Sequence, residues 1–82
     1  MEHTELKVSL TRDLSPYRIA KYLKEIYSID FAPQRVYRSI KDGKLSFYTV
    51  KINNRVQMLV THQDATNYIL GVLNGAKSNV EW

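Results

Sequence analysis

The stretch Pro33-Gln34-Arg35-Val36-Tyr37-Arg38-Ser39-Ile40-Lys41-Asp42-Gly43-Lys44-Leu45 carries a start, a face and a stop within one short segment. Proline at a first helical position gives up no hydrogen bond that a helix needs there, and its fixed φ suits the turn, so a helix is predicted from Pro33 to Lys41. Val36, Tyr37 and Ile40 form its apolar stripe. Gln34, Arg35, Arg38 and Lys41 project together from the opposite face, because three- and four-residue spacings align on a helix. Asp42-Gly43 stops it, glycine being free to take the left-handed conformation. So short a helix is marginal alone and must be held against a neighbour.

The neighbour lies upstream. Ser15-Pro16 is a strong helix start, and Ile19, Ala20, Leu23, Ile26 and Tyr27 then recur on one side while Arg18, Lys21, Lys24 and Glu25 occupy the other. Tyr17 and Tyr22 fall on the flanks, where a ring covers core and its hydroxyl stays wet. Ser28 to Ala32 breaks the pattern. Further upstream, Glu5 to Leu10 alternates, with Leu6, Val8 and Leu10 on one side, which fits a short edge strand or an extended arm.

Downstream, Lys44 to Ile52 is rich in β-branched and aromatic residues, Asn53-Asn54 tolerates the positive φ of a tight turn, and Arg55 to Val60 alternates again through Val56, Met58 and Val60. A β-hairpin is predicted. Thr61 and Asp64 resemble a capping box with Asp in place of Glu, and Ala65, Tyr68, Ile69, Val72 and Leu73 supply the buried stripe of a last helix that Gly75 ends. The glycines of Gly71 to Ser78 have the wrong spacing for a phosphate loop and follow a helix rather than a strand, so they read as a helix end.

The chain has 82 residues and no cysteine, with 44% hydrophobic and 24% charged residues, which bounds it to one small globular domain stabilised by packing alone. The expected division is an arm at residues 1–13, a core at 14–74 and a tail at 75–82. No apolar run approaches the ~20 residues of a membrane span, and the N-terminus lacks the basic and apolar blocks of a secretory signal. A cytoplasmic protein without membrane association is the expectation. The histidines, His3 and His62, have no metal-site spacing, and no catalytic constellation is present, so neither an enzyme nor a metal or other cofactor is expected.

The net charge of +4 is local rather than general. Between Pro33 and Arg55, Arg35, Arg38, Lys41, Lys44, Lys51 and Arg55 face a single acid, Asp42, for a window of +5, whereas the remainder of the chain sums to −1. A basic excess concentrated on adjoining elements favours a polyanionic partner, although it also serves simply to solvate a surface.

Helix, turn, short basic helix, hairpin and helix is the order of a winged helix-turn-helix, a small α+β fold. Pro16-Tyr17-Arg18-Ile19-Ala20-Lys21-Tyr22-Leu23, then Gln34 to Leu45, then Arg55, then Thr61 to Leu70, resemble the small excisionase and MerR-type DNA-binding domains over roughly residues 14 to 73. The most specific part is Val36-Tyr37-Arg38-Ser39-Ile40-Lys41-Asp42-Gly43-Lys44-Leu45. The resemblance implies a second helix in the major groove, a hairpin on neighbouring backbone or minor groove, and a role in transcription regulation or as a recombination accessory factor. It also implies double-stranded DNA as partner, with pairing into a homodimer or assembly on DNA, and an integrase or polymerase as protein partner. One departure stands out: Leu23 and Val36 are separated by about five residues more than the family's short turn, which lengthens the first helix and its connection.

On this reading Gln34, Arg35, Arg38 and Lys41 contact base edges or phosphates, since Arg grips guanine and Gln adenine through paired hydrogen bonds. Tyr37 either donates to a phosphate or belongs to the core. Lys51, Asn53, Asn54 and Arg55 lie at or near the hairpin tip, where Arg suits a narrow minor groove, though the asparagines serve equally to make the turn. Ser15 and Arg18 begin a helix whose free amides can meet backbone phosphate, though capping alone also accounts for Ser15. A protein-interaction module that keeps the fold, using Leu70, Val80, Trp82 and exposed tyrosines, is the alternative; RNA binding is weaker because the hairpin lacks a base-stacking aromatic signature.

Overall fold

A computed structural model describes residues 5–77. In chain order it contains α1 (Pro16–Tyr27), α2 (Pro33–Lys41), β1 (Tyr48–Ile52), β2 (Arg55–Leu59) and α3 (His62–Lys77), a small α+β arrangement of three helices with a two-stranded antiparallel hairpin. None of these helices is long and apolar enough to cross a membrane.

Helix α1 starts where the Ser15 hydroxyl accepts the Arg18 N–H at 3.3 Å, one of the first-turn amides that has no partner within the helix. Its far end is closed by Ser28 at φ 56°, whose N–H reaches the Lys24 carbonyl at 3.0 Å, while Ile29 N–H reaches Leu23 at 3.1 Å. A left-handed serine is costly, and here it turns the chain sharply enough to bring Phe31 into the core. The connection from Ser28 to Ala32 then delivers Pro33 to the first turn of α2, with the bounds that the sequence predicts.

Ile19, Leu23, Val36, Val60, Ala65 and Ile69 are fully buried, and Ala20, Phe31, Leu45, Val72 and Leu73 nearly so; together they form a single core shared by all three helices and the hairpin base. Burial at these positions is the main stabilising contribution, ~1.5–3 kcal/mol for each large side chain. Tyr37 departs from its predicted place in the α2 stripe: it is 47% exposed, because only Val36 and Ile40 point into the angle between α1 and α2.

Three further expectations are corrected. Residues 5–10 form no strand; the arm lies over α1, held by the Tyr22 hydroxyl, which donates to the Val8 carbonyl at 2.6 Å, and by Lys7 N–H donating to the Tyr27 hydroxyl at 2.8 Å. Leu6 and Leu10 pack on the core but Val8 is exposed, and the single β-bridge on this side joins Leu14 to Val60. The hairpin begins at Tyr48 rather than near Lys44, as Lys44 to Phe47 lead in without pairing. Finally, α3 passes through Gly75 to Lys77, so the tail does not start at residue 75. Gly75 is buried, and the packing there offsets the roughly 1 kcal/mol that glycine costs a helix interior.

Asp13 ties the parts together. Its carboxylate accepts the Tyr48 hydroxyl from β1 and the His62 N–H at 2.9 Å from the start of α3, where Thr61 Oγ1 also accepts Asp64 N–H at 3.2 Å. The amides of the first turn of α3 are thus satisfied partly by a residue far upstream. That bond network sets the hairpin base against the helices.

Candidate nucleic-acid interface

The solvent face of α2 presents Gln34, Tyr37, Arg38 and Lys41, all exposed and spaced at successive turns. Val36 is anchored beneath them at 0% exposure, so this face is rigidly aimed outward. Among the described residues the ion pairs are Lys21 with Glu25 and His62 with Asp13, and neither neutralises Arg38, Lys41, Lys44, Lys51 or Arg55. The positive excess of the sequence is therefore available at the surface.

Arg35 is not part of that outward row. It is half-buried on the flank of α2, with its guanidinium 4.5 Å over the ring of Phe31. Phe31 in turn meets Tyr68 of α3 edge-on, with centroids 6.3 Å apart. One turn along, Ser39 donates to the Arg35 carbonyl at 3.1 Å and its oxygen lies 2.9 Å from the Tyr68 hydroxyl, a polar link between α2 and α3. Burial pushes the Tyr68 phenol above its ordinary range, which keeps it a neutral hydrogen-bonding group.

At the hairpin, Asn53 and Asn54 take φ of 50° and 64°, the left-handed pair that a two-residue turn requires, so making the turn is one duty of both. Lys51 pairs with Val56 and Arg55 with Ile52. Cross-strand partners share a face and adjacent pairs alternate, so Lys51 and Arg55 stand on opposite faces of the hairpin rather than on one. Asn53 and Arg55, with Ile52, Val56 and Gln57, border a concavity at the free end of the hairpin, separate from the α2 surface. Ile52 and Val56 are 53% and 71% exposed there.

Ser15 is half-buried and its hydroxyl is engaged as the α1 cap, whereas Arg18 beside it is exposed. Leu70 is half-buried in α3, and Val80 and Trp82 lie outside the described residues, as does His3. Two participants escape sequence reasoning. Lys44 adds to the charge count without belonging to a helix or strand, and Phe31 sits in an irregular connection whose contact with Arg35 is visible only once the chain has folded. The structure thus brings Gln34, Tyr37, Arg38 and Lys41 onto one face, sets Arg35 aside, and divides the hairpin cations. Comparison with protein-family models, curated proteins and solved structures finds no match to this chain.

Proposed function

We propose that this chain is a winged helix-turn-helix protein that binds double-stranded DNA with sequence preference. Helix α2 enters the major groove, and the hairpin reaches the adjacent backbone or minor groove. The observation that carries the reading is the α2 face itself, where Gln34, Arg38 and Lys41 project from a helix fixed by buried Val36 and no carboxylate neutralises the cations. A helix of this kind fits the major groove, and its Arg and Gln can each make two hydrogen bonds to a purine edge. Phosphate neutralisation supplies most of the affinity, and Gln34 and Arg38 supply the discrimination. The biological output is transcription regulation or accessory control of recombination, without catalysis by this chain.

Selection of bound duplexes from a random pool tests the reading. The wild-type chain enriches a short motif, and Arg38→Ala loses preference at one or two positions of it while retaining weaker general binding. Absence of any enriched motif overturns sequence preference.

A further inference from the structure

Arg35, Arg38 and Lys44 converge on a cleft of about 100 Å³ between α2, the turn that follows it and Tyr68 of α3. We propose that this cleft is a binding site for a single phosphate group, gripped by Arg35 and Lys44 with Arg38 at the rim. Its size suits a small oxyanion rather than a drug-sized ligand, whose pockets run to ~300–1,000 Å³. Three cations against Asp42, the one acid in the described lining, leave the cleft at +2. That balance suits a phosphodiester or a phosphate monoester.

The cations are held in place before any ligand arrives. Stacking on Phe31, itself only 5% exposed, fixes the plane of the Arg35 guanidinium and leaves its N–H edge free to donate within that plane. Gly43 at φ 77° turns the backbone back along α2, and the Lys44 N–H closes onto the Ser39 carbonyl at 2.9 Å, which places the Lys44 side chain beside the last turn of the helix. Ser39 and Tyr68 hydroxyls satisfy one another and the Arg35 carbonyl, so the charged side chains are the principal donors to a ligand. The site divides the labour among the α2 cations: Arg35 anchors a phosphate and fixes register, whereas Arg38 and Gln34 face bases.

The inference rests on the DNA reading only for what carries the phosphate, either a duplex backbone or a small phosphorylated ligand. Proton–nitrogen NMR of the full chain, titrated with inorganic phosphate against chloride at equal ionic strength, tests the cleft itself. Saturable shifts at Arg35, Arg38 and Lys44 are expected with phosphate, abolished by Lys44→Gln and tightened several-fold by Asp42→Asn, which removes the competing charge. Shifts no larger than with chloride, or unaltered by both substitutions, overturn the site. Lys44 and Asp42 are exposed, so neither substitution threatens the fold.

A second arm uses duplex DNA. Lys44→Gln reduces the slope of log K against log salt by about one, irrespective of sequence. If phosphate occupies the cleft but no duplex binds at low salt, the cleft stands with a small phosphorylated ligand as its occupant and the DNA reading falls. If duplex binds with an unchanged slope in Lys44→Gln and phosphate does not bind, the DNA reading stands and the cleft falls.

Discussion

Asp13 and His62 are joined through two atoms of the same residue: one carboxylate oxygen accepts the His62 backbone N–H at 2.9 Å and lies 3.3 Å from its Nδ1. The second oxygen accepts the Tyr48 hydroxyl, so one short side chain links the arm, the hairpin base and the first turn of α3. The Tyr48 hydroxyl first, and then the His62 amide, hold the Asp13 carboxyl below the usual carboxylate range. A group depressed in this way stabilises the fold above its unfolded pKa, and the contribution is lost as pH falls through the folded value. Thermal melting of the wild type should weaken through that acid window, and Asp13→Asn should be less stable at neutral pH and flatter across the window. Parallel pH profiles for the two proteins contradict the linkage.

Ser28 holds a left-handed backbone at φ 56° with an exposed side chain. Glycine takes that conformation without the ~1–2 kcal/mol that a Cβ costs, though it also has more freedom to lose on folding. Ser28→Gly should therefore raise the stability measured by urea denaturation by roughly 0.5–1 kcal/mol. A loss of stability would show that the serine side chain contributes something beyond the turn.

Ile69 and Ile52 are chemically identical and structurally opposite, at 0% and 53% exposure. Ile69→Ala removes a side chain from the middle of the core and should cost about 2–5 kcal/mol. Ile52→Ala, at the free end of the hairpin, should change stability by no more than about 0.5 kcal/mol. Denaturant midpoints measured side by side check both values, and equal effects would refute the assignment of the core.

Sequence reading succeeds where local chemistry decides the outcome. Pro33 and Asp42-Gly43 bracket α2, Ser15-Pro16 starts α1, and Asn53-Asn54 can adopt the positive φ angles that close the hairpin. It fails where tertiary contacts override local preference. Gly75 continues α3 because it is packed, Val8 turns outward because hydrogen bonds from Tyr22 and Tyr27 set the path of the arm, and Tyr37 is exposed although it neighbours two core positions. The Asp13 bond to His62 spans 49 positions and leaves no periodic trace in the chain. In the candidate site, Gln34, Arg38 and Lys41 follow from helical spacing alone. The diversion of Arg35 onto Phe31 does not, because that ring arrives from an irregular loop.

Tyr37 and Arg38 are neighbours on the surface of α2 with different expected duties. Arg38→Ala should weaken the preferred duplex by on the order of 1–3 kcal/mol and relax one position of the motif. Tyr37→Phe keeps the exposed ring and removes only its hydroxyl, so it should lower affinity for every sequence alike without altering the melting temperature. Fluorescence anisotropy with matched and scrambled duplexes separates the two patterns. A sequence-selective loss in Tyr37→Phe would reassign that residue to the bases.

The most direct measurement is the affinity of the chain for duplex DNA across a salt series. With about four to six phosphates contacted, log K should fall against log salt with a slope of roughly −4 to −5. A slope near zero, or no binding at low salt, contradicts the proposal that the cations of α2 and the hairpin embrace a duplex.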